Sequence, residues 1–230
     1  MNVVIIPARG GSKRIPHKNI KVFNGKPIIY WPLKVLQNSN LFDKIIVSTD
    51  DPDISKVALS LGAEVPFLRP NHISDDYSNV SDVMAHEVNS LNKSNYNMDV
   101  VCCVYSTAAF LTENDLRKGF QLFLNNDFNF VFSATTFPYP IQRAFKRTYD
   151  NGIKMIDNKY IRTRSQDLEE TYHDAAQFYF GKPDAWSNNN DIFSHSSEIV
   201  VLPRWRVQDI DTKEDWKRAE FLHKTLKYSY

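Results

Sequence analysis

This chain has little of what most ready functional assignments require. Its 230 residues hold two cysteines, seven glycines and a formal net charge of +1. The cysteines, Cys102 and Cys103, are neighbours in the apolar run DVVCCVY. Strand alternation points them to opposite faces, which argues against a disulfide or a metal pair and for two buried thiols. With 28 Lys and Arg against 27 Asp and Glu, no global field draws the chain to nucleic acid or to an anionic membrane. No apolar run approaches the ~20 residues that span a bilayer. The chain opens directly on an apolar strand, so a cytoplasmic location is expected. No Pro/Gly/Ser-rich linker and no tandem repeat divides residues 1–230, and a single domain with a sizeable core is expected.

The sparse glycines also miss the familiar phosphate loops. A Gly-x-x-x-x-Gly-Lys-Ser/Thr loop is absent, because Ser12 precedes Lys13 and no glycine follows Gly11 until Gly25. The dinucleotide pattern Gly-x-Gly-x-x-Gly fails for the same reason. What is present is NVVIIPARGGSKRIPHKN, Asn2 to Asn19. Val3, Val4, Ile5 and Ile6 read as a strand buried on both faces of a parallel sheet. Where it stops, Gly10 and Gly11 let backbone approach an anion, Arg9, Lys13, Arg14 and Lys18 supply positive charge, and Pro16 stiffens the turn. A loop of this kind after the first strand suits a polyphosphate. The plain alternative is a solvated basic loop.

Beyond it, strand-like and helix-like segments alternate, the pattern of an α/β doubly wound sheet. A helix is expected from Pro27, a buried strand over Lys44 to Thr49, and a helix through Ile54, Val57, Ala58 and Leu61 that stops at Gly62. Glu64 to Leu68 reads as a short third strand delivering Arg69. A helix after Ser78 and Asn79 leads to a central strand, Asp99 to Tyr105. A helix from Thr112 and a strand over Phe130 to Thr135 follow. The alternation then breaks: Phe145 to Ile156 reads as a β-hairpin whose Asp150-Asn151-Gly152 is compatible with a type I′ turn. Strands near Ala175 to Phe180 and Glu198 to Leu202, and a helix from about Thr212, complete the scheme.

Near the C-terminus, RVQDIDTKEDW places Asp209 and Asp211 two apart in an extended segment. Their carboxylates then face one side and suit a hard cation. Asp211 with Glu214 equally fits a capping box that needs no metal. Arg69, with Asp75 and Asp76 nearby, reads either as a binding residue or as a surface ion pair.

The segment IPARGGSK followed by Pro16, Lys18 and Asn19 resembles the signature of the sugar-activating cytidylyltransferases, the enzymes that make CMP-sialic acid and its relatives. The resemblance implies a Rossmann-like, nucleotide-diphosphosugar-transferase type three-layer sandwich with a mixed, mostly parallel sheet and a β-hairpin dimerisation lobe, here residues 137–172. It implies Mg2+ as cofactor, CTP and a nonulosonic acid as substrates, and a homodimer; a surface hairpin on a monomer is the plain alternative. By position, Asp209 and Asp211 hold the magnesium, and Arg9, Lys18, Asp209 and Asp211 are the catalytic set. Ala8, Arg9, Gly10, Gly11, Ser12, Lys13, Lys18, Asn19 and Arg69 bind the nucleotide.

Tyr105-Ser106-Thr107-Ala108-Ala109-Phe110 stands where sialic-acid enzymes carry Q-P-T-S-P. It is closer to the Y-A-T-A-P-F of the branch that activates pseudaminic acid, with Ala109 for proline. The runs FPYPIQRA, from Phe137, and TRSQDLEETYHDAAQFY, from Thr163, resemble the same branch, with Ala176 where that branch has glycine. The resemblance thus covers nearly the whole chain. Tyr105, Gln142, Arg143, Arg164, Gln166, Asp174 and Gln177 are the sugar-binding candidates, as arginine forks for a carboxylate and hydrogen-bonding groups for hydroxyl and acylamino substituents. His173 beside Asp174 is a candidate for orienting substrate, whereas His86 lies in a helix pattern. Alternatives left open are legionaminic, N-acetylneuraminic or ketodeoxyoctonic acid as acceptor, and a nucleotide-binding regulator without turnover.

Overall fold

The first apolar run forms strand β1 (Asn2–Pro7), and the chain then folds back on itself before its first helix. Residues 1–75 and 77–227 are described by the computed structural model. After β1 come the two-residue strands β2 (Val22–Phe23) and β3 (Lys26–Pro27), then α1 (Tyr30–Ser39), β4 (Lys44–Ser48) and α2 (Pro52–Ser60). Next are α3 (Val80–Lys93), β5 (Val100–Val104), α4 (Glu113–Leu124) and β6 (Phe130–Thr136). β7 (Phe145–Arg147), β8 (Ile153–Met155), β9 (Tyr172–Gly181), α5 (Pro183–Ser187), β10 (Ser197–Val201) and α6 (Lys213–Lys227) follow.

Six strands make one sheet in the order β10-β6-β9-β5-β1-β4. β1 runs parallel to β4 and β5, and β10 parallel to β6, while β9 runs antiparallel between β5 and β6. This is the expected mixed α/β sheet. Val4, Cys102 and Phe178 face a layer built on Leu33 of α1, Ala58 of α2 and Leu116 of α4. Val3, Cys103 and Tyr179 face Met84 and Val88 of α3 and Trp186 of α5. The adjacent cysteines therefore enter opposite cores as free thiols, and burial pushes both thiols well above their usual range. A third cluster packs Trp216 and Ala219 of α6 on Phe23, Phe110 and Ile210. No helix among the described residues is long and apolar enough to cross a membrane.

Three local expectations change. Pro27 does not start a helix: it pairs with Val22 across a two-residue turn, Asn24-Gly25, where both residues have positive φ (48° and 85°). That is a type I′ turn, whereas the hairpin expected over Phe145 to Ile156 is present as β7 on β8 with a different turn. The loop joining β7 to β8 is instead five residues long, Thr148 to Gly152, closed by Thr148 N–H donating to Gly152 O at 3.0 Å. Glu64 to Leu68 is not a strand. Only Glu64 bridges to Ile46, because Pro66 has no N–H to extend a ladder.

Opposite Ser133 the ladder of β6 on β9 jumps from Phe132↔Tyr179 to Ala134↔Asp174, so β9 bulges there. Buried Ser133 fills the gap, its Oγ accepting from both Gln177 N and Phe178 N. Ala176 within the bulge has φ 51°. The backbone requirement suggested by the missing glycine is met by an L-residue held in the left-handed region.

Candidate active site

The parallel strands β1, β4 and β5 end on one edge of the sheet, and a cavity of about 250 Å³ opens there. The loop after β1 forms one wall, with Arg9, Ser12, Lys13 and Lys18 lining it. Gly10 is fixed beneath: its N–H donates to Asp50 Oδ1 at 2.9 Å, and a Cβ there would meet Asp51 Oδ2 at 2.5 Å. That N–H is therefore spent inside the protein, whereas a Cβ at Gly11 would meet open space. Ala8 is fully buried at the strand end. Asn19 is a strut, its amide donating to Arg9 O at 2.8 Å and its carbonyl accepting from Ser106 Oγ at 2.6 Å. It ties the loop to the end of β5.

The C-terminal aspartates arrive from the far end of the sequence. Ile210 is 1% exposed and anchors the segment in the third cluster, so the side chains on either side of it share the other face. Lys18 Nζ donates to Ile210 O at 2.7 Å and lies 3.3 Å from Asp211 Oδ1, while Arg14 Nη2 is 3.0 Å from Asp211 Oδ2. The helix cap is a different residue pair. Thr212 Oγ1 accepts from Asp215 N, and Asp215 Oδ2 accepts from both Thr212 N and Asp211 N. Asp211 is thus relieved of capping, and its carboxylate lines the cavity. The Asp209 carboxyl is held above the usual carboxylate range, first by desolvation and then by the charge of Asp211.

No cluster of three or more His, Cys, Asp or Glu side chains among the described residues is arranged for a metal. Two aspartates beside a loop of cations still fit a magnesium ion, which takes few protein ligands and fills its octahedron with water and phosphate oxygens. The two cations now on Asp211 mark that carboxylate as accessible to a positive partner.

Arg69 is buried, not on the surface. Its Nε donates to Ser74 Oγ at 3.0 Å and its Nη1 to Ser48 Oγ at 3.3 Å, and it lines the cavity. Of the surface partners considered for it, Asp75 instead holds Tyr77 N and Ser78 N, and Asp76 lies outside the described residues.

The sugar-binding candidates divide. Tyr105 and Asp174 line a second cavity of about 390 Å³, which shares Asn79, Val80 and Tyr105 with the first. Asp174 is braced there by Ala176 N at 2.8 Å and by the Tyr179 hydroxyl at 2.5 Å. His173 directs Nδ1 to its neighbour's carbonyl, Asp174 O. Gln142, Arg143, Arg164 and Gln166 lie on the exposed segment between β6 and β9 and line neither cavity. Gln142 donates to Glu169 O, Arg143 to Ser165 Oγ, and Arg164 is forked on Asp167. Gln177 is buried away from both, donating to Arg206 O at 3.1 Å.

Sequence reasoning missed the far wall of the second cavity, where Asn189, Asn190, Asp191 and Phe193 stand after α5. It also missed the fork of Arg206 on Asp115 (2.6 and 3.1 Å), which anchors the segment leading to Asp209. An N-rich connection and a lone arginine carry no periodic signal, so no pattern marked them.

The sequence model of a family described as cytidylyltransferase matches residues 3–224. Pseudaminic acid cytidylyltransferase of Campylobacter jejuni subsp. jejuni serotype O:23/36 (strain 81-176) is 46% identical over 223 residues, 97% of this chain and 96% of that protein. N-acylneuraminate cytidylyltransferase A of Danio rerio is 30% identical over 98% of this chain and 51% of its own length. A solved structure of CMP:2-keto-3-deoxy-manno-octonic acid synthetase complexed with CTP covers 98% of this chain and 99% of that one, with a TM-score of 0.71 at 15% identity. That likeness is one of fold.

Proposed function

This chain belongs to the cytidylyltransferase family, and we propose that it transfers CMP from CTP to pseudaminic acid with release of pyrophosphate. The observation that carries the reading is the meeting of the two terminal motifs at one cavity, Lys18 on Ile210 O and Asp211. The 46% identity to a pseudaminic acid cytidylyltransferase over almost all of both chains supports the acceptor.

The reaction is an in-line displacement at the α-phosphorus: the anomeric hydroxyl oxygen of the acid bonds to phosphorus, its proton leaves, and the bond to pyrophosphate breaks. Such a step asks the protein chiefly for placement and charge. Arg9 and Lys18, with Ser12 and Lys13, hold the triphosphate, and Arg69 faces the nucleoside. Gly10 and Asn19 shape the loop from beneath. Asp209 and Asp211 would hold a magnesium ion, which when bound would polarise the phosphoryl oxygens and offset the charge of the leaving group. The adjoining cavity at Tyr105, Asp174 and Tyr179 takes the sugar acid. The reaction is placed in the cytoplasm, where CTP is made.

Residues 137–172 are assigned to a lobe that contacts a second copy. Their exposed Tyr139, Phe145, Tyr149, Ile153, Ile156 and Ile161 form the apolar surface such a contact requires. In that homodimer Arg143 and Arg164 reach acceptor in the partner. A dimer is the expected species in sedimentation, and a monomer at assay concentration removes this assignment.

The deciding experiment is pyrophosphate release from CTP and magnesium with purified nonulosonic acids side by side. A site that hydrogen-bonds polar substituents rejects an analogue that leaves those groups unpaired, so pseudaminic acid is expected to exceed N-acetylneuraminic acid by at least ~10²-fold in kcat/KM. A better rate with N-acetylneuraminic, legionaminic or ketodeoxyoctonic acid refutes the acceptor but not the family. No release with any of them points to a nucleotide-binding regulator.

A further inference from the structure

Behind the nucleoside end of the cavity runs a buried polar chain that the reaction as described does not use. Glu87 sits on α3 among the apolar Val83, Met84, Val88 and Leu91, and is 1% exposed. A carboxylate in that stripe is costly unless it is paired. Ser48, the last residue of β4, donates its hydroxyl to Glu87 Oε1 at 2.8 Å and accepts from Arg69 Nη1 at 3.3 Å. Arg69 Nη2 lies 3.9 Å from Asp50 Oδ1, the atom that also receives Gly10 N–H. His86 Nδ1 stands 3.5 Å from the Glu87 carboxylate. Four elements are thereby linked: α3, β4, the segment carrying Arg69 and the phosphate loop.

The charges agree with the geometry. Burial lowers the pKa of the Arg69 guanidinium, opposed by Asp50 and then Glu87, with Arg9 adding repulsion. Burial raises that of Glu87, opposed by the Ser48 hydrogen bond, His86 and Arg69. Each ion is a reason the other is tolerated. With Nε on Ser74, Nη1 on Ser48 and Nη2 facing Asp50 at 3.9 Å, all three nitrogens of the guanidinium are directed by the protein, and the residue lines the cavity.

We propose that Glu87 is a positioning residue which, through Ser48, locks Arg69 in the orientation that grips the nucleoside half of CTP. This deepens the nucleotide assignment of the cavity and rests on it. Glu87 itself touches no substrate. Its effect belongs to recognition of the nucleoside more than of the triphosphate, whose loop meets this network through its backbone, at Gly10 N–H on Asp50 Oδ1.

The test is calorimetric titration of CTP and of inorganic tripolyphosphate into the wild-type protein, Ser48→Ala and Glu87→Gln, with kcat and KM for CTP measured in parallel. Loss of a hydrogen bond to a charged group predicts CTP affinity about tenfold weaker or more in each variant. Tripolyphosphate affinity is expected to stay within about twofold, and the kinetic defect to fall on KM with kcat within about threefold. Ser48→Ala keeps both charges and carries the test if Glu87→Gln does not fold by near-ultraviolet circular dichroism. Equal weakening of both ligands assigns the network a general structural role and overturns the proposal, as does unchanged CTP affinity. A wild-type protein that binds no CTP overturns the nucleotide reading itself, and this inference with it.

Discussion

Asparagine at position 211 separates a metal ligand from a helix cap more sharply than any other single change. Asp211→Asn is nearly isosteric and keeps one acceptor while removing the charge. The cap of α6 is made by Thr212 and Asp215, through Thr212 N at 2.8 Å and Asp215 N at 3.1 Å. Among the described residues the Asp211 side chain receives Arg14 and Lys18, and the side chains of Arg14, Lys18 and Asp211 are 66%, 22% and 40% exposed. Ion pairs that exposed contribute about 0–1 kcal/mol. The melting temperature is therefore expected to fall by no more than about 2–4 °C for a chain of this size. Metal binding behaves differently. Loss of a group that merely supports a ligand costs 10–100-fold, so loss of one of two protein carboxylates should weaken divalent-metal binding, and turnover at limiting magnesium, by ~10²-fold or more. Manganese titration followed by electron paramagnetic resonance reads the binding directly, beside thermal melting and pyrophosphate release. Thr212→Ala supplies the reverse pattern: about 1 kcal/mol of stability lost with the metal site kept. If Asp211→Asn melts many degrees lower yet binds manganese as the wild type does, Asp211 is structural and the two-aspartate site is wrong.

Two further outcomes follow from the same geometry. Arg9→Ala and Lys18→Ala should each lower CTP turnover by ~10²-fold or more through loss of charge stabilisation on the triphosphate, with circular dichroism unchanged; wild-type rates in both would remove the loop from the mechanism. Ala176→Gly should stabilise the protein, since the left-handed φ of 51° costs an L-residue ~1–2 kcal/mol and glycine returns ~0.4–1 kcal/mol of that as unfolded-chain entropy. The net gain of about 0.5–1 kcal/mol appears as a melting temperature ~1–4 °C higher, and a lower one shows that the methyl group is needed in the bulge.

What the sequence determined alone is what neighbours along the chain decide. Val3 to Ile6 form a doubly buried strand because β-branched side chains suit a pleated surface covered on both faces. Cys102 and Cys103 enter opposite cores because strand periodicity is two. Asn79 and Thr112 cap their helices with their own side chains. Asn24-Gly25 is equally legible, since an Asn-Gly pair tolerates the two positive φ angles that a two-residue hairpin turn requires. Partnership across the chain was decided only by tertiary structure. Lys18 meets Asp211 across 193 positions, Glu87 of α3 reaches Arg69 through a serine at the end of β4, and β9 slots antiparallel between β5 and β6. The capping role considered for Asp211 fell to Thr212 and Asp215, one step further on. A side chain's type specifies which bonds it can make, but which partner it meets depends on where the sheet brings distant backbone together, and that follows from burying the apolar faces of every element at once.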